Sequence, residues 1–591
     1  MPNYLKWLEE RFIEPEGYFE AVHLLLKEHA ILLAGAPGSG RTSTGQMMLH
    51  RLRNITGPIR QLSFVSADLD DQDLEPLSRD RVLIDVSGIS SELFPSILMR
   101  LESVRSKVAQ QQGFLVAVVS DENQAFLEGD LARLVVHIGR PAGTEVLLKH
   151  LNKDGVPATL AQVSRPDFPG IPMRSISRIA RLVHIARAQG SGGIKEWISR
   201  AFEAYAGDAQ GVVEKVADLA AMDRALLLAA AMLSGARADA VYEAGEALHE
   251  TMHLPPDDRP LLGRPGLSVR LGELKVASIN KHGRVMFDTL GFDAAVRSHF
   301  WADHHGLRDK LREWVARLVE SPALTASERD AVIVRFAEQV LNLGRYDDLL
   351  RLCAGWTAAG SSPQRWPDAV RALQLALEDS RCSGLIRHRI ITWAQEPNLP
   401  FERGQVLVEV CSDVLARIDA LSALVRLRHL ARQDDPRTSS AAREALARMM
   451  GEGPWFARQL LTRVVRRLES LHPPRNADYQ LFLWLTAPDR DYPLVSASDM
   501  RPLLVEGWRA LMDRANQELW ERAIHRWFSA VADGVVAEET LGILLDASAE
   551  SAPSLTKLYV AAMRCRRDIE SGLVLDLVTR FCQKIDALQG L

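Results

Sequence analysis

Cysteine is scarce in this chain and follows no pattern. The 591 residues hold five, Cys353, Cys382, Cys411, Cys565 and Cys582, with no C-x-x-C pair. This argues against a disulfide scaffold or a zinc framework and predicts reduced, buried thiols in a cytoplasmic protein. Long apolar runs are also missing. The longest, Ala225 to Gly235, is too short to span a bilayer, so no membrane association is expected. The first residues, Met1-Pro2-Asn3-Tyr4-Leu5-Lys6, lack the basic-then-apolar form of a signal peptide. Nor is there an excess of positive charge: a net charge of −5 argues against a nucleic-acid surface. What is present, 47% hydrophobic and 25% charged residues, suits a soluble globular chain long enough for several domains.

The strongest local signal is Ile31-Leu32-Leu33-Ala34-Gly35-Ala36-Pro37-Gly38-Ser39-Gly40-Arg41-Thr42. A buried-strand pattern runs into a Gly-rich turn with the spacing G-x-x-x-x-G-K-[ST], except that Arg41 stands in the lysine position. Gly35, Gly38 and Gly40 permit backbone conformations that a Cβ forbids. Amide N–H groups can then converge on one anion, with the positive end of the next helix behind them. The candidate nucleotide-binding set is Gly35, Gly38, Ser39, Gly40, Arg41, Thr42 and Ser43, with Thr42 offering its hydroxyl to Mg²⁺. Arg41 keeps the charge but spreads it over a planar fork, so binding of ATP or ADP is better supported than hydrolysis. The competing reading is a Gly-rich turn that binds nothing.

After the loop a helix is expected over Ser43–Arg53. Further apolar runs follow at Gln61–Val65, Arg81–Val86, Gly113–Ser120 and Leu134–Ile138, with helical stretches at Leu93–Gln112 and Glu122–Ala132. Strands alternating with helices predict a parallel sheet covered on both faces. Val82-Leu83-Ile84-Asp85 ends in a carboxylate, Asp85, placed to hold Mg²⁺ with Thr42. Val86 and Ser87 follow it, so the usual second acid is missing. Asp85 and Ser120, which closes the fourth strand, are the candidate catalytic residues. Asp121 and Glu122 beside it could supply a substitute base but read more readily as helix caps, a role equally open to Ser120.

Five strands with the phosphate loop after the first resemble the core of the additional-strand P-loop ATPases. The helical lead, Tyr4–Arg11 and Tyr18–Glu28, would pack over the base, with Tyr18 or Phe12 as the neighbours that resemblance suggests. A helical bundle after the sheet (Glu145–Asn152, Val156–Val163, Ser175–Gln189, Ile194–Ala206) resembles the lid of AAA+ and STAND ATPases. Within it, Gly170-Ile171-Pro172 is similar to the STAND G-x-P motif, which implies Pro172 near the nucleotide. Arg174 and Arg178 resemble sensor-2 groups. Ser120 stands at the sensor-1 position, and Arg133 stands where AAA+ rings keep a trans-acting arginine.

Helices at Asp223–Ser234 and Asp239–Met252, then strand-like runs at Leu274–Asn280 and Gly283–Asp288, suggest a winged-helix-like unit. His299, His304 and His305 are its candidates for a phosphate-sensing histidine. From Ser321 onward only helical segments occur, with eight tryptophans and a TPR-like turn at Asn342–Leu349, which suits an irregular α-solenoid of HEAT or TPR type. The expected fold class is therefore multidomain α/β plus α. The core with its lead covers residues 1–140, the lid 141–208, the winged-helix-like unit 209–320 and the repeats 321–591.

The order of these parts resembles the STAND class of signalling ATPases. The class implies a switch that holds ATP or ADP with Mg²⁺, is at most a slow ATPase, and binds a protein partner on the repeats. It also implies self-association on activation and a bacterial signalling or defence role. The rival readings are a nucleotide-free pseudo-ATPase scaffold, a winged-helix DNA-binding regulator and an AAA+ motor. Acidic Glu243, Glu246 and Glu250 oppose DNA binding. The missing lysine and second acid oppose the motor.

Overall fold

The computed structural model describes residues 2–52, 59–62, 80–164, 171–188, 190, 192–207, 209–255, 259–379, 381–451, 453–470, 472–488, 494–568 and 572–589. Two helices lead in, α1 (Pro2–Arg11) and α2 (Tyr18–Glu28), followed by β1 (Ala30–Ala34), α3 (Arg41–Arg51), β2 (Ile59–Leu62) and β3 (Arg81–Asp85). Then come α4 (Phe94–Gln110), β4 (Phe114–Val118), α5 (Gly129–Arg133) and β5 (Val135–His137). The strands form one parallel sheet in the order β2-β3-β4-β1-β5. β4 thus lies between the loop-bearing β1 and the Asp85-bearing β3. β1 and β4 are buried at every position, as expected for strands covered on both faces. On one face Phe94, Ile97, Leu101 and Val104 of α4 pack on alternate residues such as Leu32 and Ile84. On the other, α2 and α3 bring Leu25, Met47 and Leu49 against Ile31, Leu33 and Val116.

The sheet matches the sequence pattern, with two differences. The helix expected over Glu122–Ala132 is split into a 3-10 turn (Glu122–Phe126) and the short α5, which opens on Gly129 at φ 57°. The strand expected to reach Ser120 ends at Val118, although Val119 N–H still extends the parallel ladder to Leu33 O at 3.0 Å. Of the run Gln61–Val65, the part beyond Leu62 lies outside the described residues.

Next come α6 (Gly143–Lys153), α7 (Leu160–Val163), α8 (Met173–Ala188) and α9 (Ile194–Ala206), which share one apolar cluster around Leu147, Leu151, Ile179 and Phe202. Gly170 lies outside the described residues; Ile171 and Pro172 are within them. Helices α10 (Ala209–Ala217), α11 (Ala221–Met232), α12 (Ala238–Thr251) and α13 (Leu267–Leu274) precede an antiparallel hairpin of β6 (Ala277–Ile279) and β7 (Val285–Phe287). The long apolar run is simply α11, buried from Ala225 to Met232. Helices α14 (Phe292–Ala302), α15 (Arg308–Glu320), α16 (Ala326–Asn342), α17 (Tyr346–Trp356), α18 (Trp366–Glu378) and α19 (Ser383–Gln395) begin the helical array.

The chain divides into two compact units, residues 1–389 with 417–420, and 390–416 with 421–591. The second unit is helical throughout its described residues. Its mainly aliphatic core includes an aromatic group: Trp508 meets Trp527 edge-on at 5.4 Å and Phe482 at 5.8 Å, and all three are buried. These tryptophans fill space between helices, as their spacing suggested. The helix that begins at Phe401 passes through a π-helical stretch at Val410–Leu415. Arg463 is buried and donates to Gln459 Oε1 at 2.6 Å. All five cysteines are buried and none forms a disulfide, and burial pushes the Cys382 and Cys411 thiols up to about 12. Among the described residues no helix is long and apolar enough to cross a membrane.

Candidate functional site

The turn after β1 is held open by its glycines and by what packs on them. Gly35 has φ 140°, and a Cβ there would lie 2.5 Å from Ile138 O. Gly38, at φ 77°, is covered by Pro172, whose Cβ would lie 3.2 Å from an added methyl. Met173 N–H, at the start of α8, donates to Gly38 O at 3.0 Å. Pro172 therefore packs against the loop, and the neighbouring Met173 adds one main-chain hydrogen bond to it. Gly40, at φ 97°, delivers the chain into α3.

Thr42 Oγ1 donates to Asp85 Oδ2 at 2.7 Å, so the two expected Mg²⁺ partners meet across the sheet edge. Asp85 Oδ1 accepts from Ser87 N (3.1 Å) and Ser87 Oγ (2.6 Å), which fixes the carboxylate plane. Ser39 is 2% exposed, and its Oγ has no hydrogen-bond partner among the described residues. An orphaned buried hydroxyl at the floor of a glycine loop suits an anionic oxygen acceptor. Arg41 is turned inward: at 8% exposure it donates from Nη1 to Val119 O, tying α3 to the end of β4. Part of its fork is thus committed to the main chain.

These residues open on a cavity of about 730 Å³ within the first unit. Its lining includes Gly38 to Thr44, Asp85 and Ser87. One wall is apolar and aromatic, made by Tyr4, Trp7 and Phe12 of the lead with Val146 and His150 of α6. Among the described residues five arginines line it, Arg11, Arg41, Arg174, Arg381 and Arg387, against one carboxylate, Asp85. A chain of net charge −5 has thus gathered cations around one concavity, the electrostatics a polyphosphate requires.

Arg11 is oriented by Asp154 at 2.6 Å and stacks over Trp7 at 4.9 Å. His150 sits edge-on to Trp7. Burial first, and the Arg11 charge second, push its imidazole down to about 4. It is neutral at physiological pH. The sign follows: between about pH 6.5 and 4 the unfolded chain takes up this proton and the folded one does not, so stability falls as pH falls through that window. His150→Phe should remove on the order of 2 kcal/mol of that loss. Urea unfolding of both proteins at pH 7.5 and 4.5 checks this, and equal pH slopes would refute it.

Other sequence candidates are placed differently. Ser120 does not line the cavity; its Oγ accepts from Asn123 N at 3.3 Å, a capping contact. Asp121, read as a cap, makes no capping bond: its Oδ1 accepts from Gly35 N at 3.0 Å and Gln124 Nε2 at 2.9 Å. It braces the loop instead. Glu122 is exposed and absent from the lining. Arg133 is solvated beside Asp130. Arg174 lines the cavity and Arg178 does not. His299, His304 and His305 also lie outside the lining; His299 bonds Asp303 at 2.7 Å and lies 3.3 Å from His304. Phe12 lines the cavity, whereas Tyr18 is buried beneath Arg51. Trp7, Arg11, His150, Arg381 and Arg387 were not anticipated, since they lie far along the chain from the loop and carry no local motif.

No family model matches this chain, and no curated relative does. Among solved structures, a Signal Transduction ATPase with Numerous Domains (STAND) protein with a tetratricopeptide repeat sensor from Pyrococcus horikoshii is similar. The match covers 95% of this chain and 97% of that one, at 9% identity and a TM-score of 0.15.

Proposed function

We propose that the chain is a nucleotide-binding regulatory switch that holds ATP or ADP with Mg²⁺. The observation that carries this is the lining of the cavity: five arginines, the glycine loop and the Thr42–Asp85 pair beside an aromatic wall. In this reading the loop amides and Ser39 take the phosphates, Thr42 and Asp85 hold Mg²⁺, and Trp7 with Phe12 packs on the base. Turnover is slow or absent. Asp85 is the one carboxylate among the described lining residues, and a metal ligand is a poor base. Information then resides in which nucleotide is bound. A protein partner on the helical repeats would shift that balance, with self-association as the output.

A second reading, a nucleotide-free scaffold, draws on one observation: Arg41 already donates to Val119 O, and Asp121 already occupies Gly35 N–H. One experiment separates the two. Purified protein should release ADP or ATP on denaturation, identified by mass spectrometry. Added Mg-ATP at a hundred times its Kd should stabilise the fold by about 2.7 kcal/mol. Asp85→Ala and Thr42→Ala should abolish the Mg²⁺ dependence of that shift. No stabilisation by either nucleotide leaves the scaffold; rapid multiple turnover refutes the switch.

A further inference from the structure

The nucleotide cavity has a wall that belongs to neither core nor lid. It is built by the junction of α18 and α19, through Arg381, Ser383, Gly384, Leu385 and Arg387. Arg387 fixes this junction to the sheet. It is buried, donates from Nη1 to Gln61 O of β2 at 3.0 Å, and lies 3.8 Å from Asp419. Arg381 has a different setting. Its side chain is 37% exposed, and its Nε and Nη2 grip Asp379 at 3.0, 3.2 and 2.6 Å. Nη2 also reaches Asn342 Oδ1 at 3.3 Å. Arg174, across the cavity lining, forms no ion pair among the described residues, but its charge reaches Asp379. Burial alone would raise the Asp379 carboxyl; the Arg381 bonds, then Arg174, hold it below its ordinary value.

The strand order gives the cavity a direction. Pro141, Val146 and His150 follow β5 at one edge of the sheet and join the aromatic wall. Gln61, next to last in β2, lies at the other edge, beside the Asp85 strand. A nucleotide with its base on the aromatic wall and its phosphates on the loop after β1 would run toward β3 and β2. Its last phosphate would arrive where Arg381 stands.

We infer that Arg381 is a phosphate ligand supplied by the helical array, exchanging Asp379 for the terminal phosphate of a nucleoside triphosphate. A guanidinium fork fits carboxylate and phosphate oxygens with the same two-pronged geometry, so the exchange needs no new backbone arrangement. A diphosphate is too short to compete, and Arg381 then stays on Asp379. The array thereby distinguishes triphosphate from diphosphate, the step by which a ligand on the repeats and the nucleotide affect one another. This inference rests on the nucleotide reading above.

The test is calorimetric titration of Mg-ATP and Mg-ADP into the full chain and its variants. Arg381→Ala should weaken ATP binding tenfold or more and change ADP binding less than threefold. Arg381→Lys should fall between, since an ammonium keeps charge without the fork. Asp379→Asn should tighten ATP binding two- to fivefold by releasing the guanidinium. Arg389→Ala, exposed on the same helix and outside the lining, is the control and should match wild type. If wild type binds both nucleotides and Arg381→Ala leaves their ratio unchanged, the inference falls and the switch reading survives. Wild type that binds neither overturns both. Should Arg381→Ala lose thermal stability without ligand, Asp379→Asn decides: no gain in ATP affinity refutes the exchange.

Discussion

Gly35→Val should destabilise the first unit by about 3 kcal/mol or more and abolish nucleotide-dependent stabilisation. The backbone at φ 140° is strained for any residue with a Cβ. The added carbon would meet Ile138 O at 2.5 Å, inside contact distance. Neither side can yield cheaply. Ile138 N–H is bonded to Ala34 O at 2.9 Å, and Gly35 N–H is bonded to Asp121 Oδ1 at 3.0 Å. Relief of the clash therefore breaks a strand pairing or a loop brace, and either re-aims the amides that face the cavity. Differential scanning calorimetry with and without Mg-ATP reads both effects. Gly88→Ala is the matched control: Gly88 lines the same cavity and has no atom within 4 Å of an added Cβ. Equal behaviour of the two variants would remove the loop from the functional argument.

The second large effect is expected at the edge of the sheet. Arg60 and Asp80 form an ion pair at 2.7 Å with side-chain exposures of 2% and 0%. Asp80 also accepts Phe114 N–H on its main-chain oxygen at 2.7 Å, so it stands where β2, β3 and β4 begin together. Asp80→Ala leaves a buried guanidinium without its carboxylate and should cost about 3–5 kcal/mol. The double variant Arg60→Met with Asp80→Leu removes both charges and should recover most of that loss, because an apolar pair has no desolvation to offset. Equilibrium urea unfolding of the three proteins checks the cycle. A single variant losing under 1 kcal/mol would show that the pair is not desolvated.

Much of the core was legible locally. The loop, the apolar strands and the Asp-terminated Val82–Asp85 are each contained within a dozen residues, and their patterns follow from steric rules that act over such distances. Pro172 was singled out through a resemblance to a lid motif, and the structure sets it against Gly38. Ser120 was open to a catalytic or a capping role and makes a capping contact, whereas Asp121 was read as a cap and braces the loop, because capping and loop-bracing use the same carboxylate oxygens. Only the path of the chain decides which N–H arrives: Asn123 N for Ser120, Gly35 N for Asp121. Arg41 was read as a phosphate ligand from its place in the motif. Its fork is long enough to reach Val119 O, which a lysine reading does not suggest.

The sequence by itself determined that a glycine turn would follow a buried strand, that a carboxylate would end another, and that helices would fill the remainder. It did so because backbone freedom and hydropathy period are properties of neighbouring residues. Only the tertiary structure decided what surrounds that turn. An aromatic wall from the lead, a proline from the helical bundle after the sheet and arginines from the α18–α19 junction converge on it. Convergence of segments so far apart is set by packing and charge, which no local window contains.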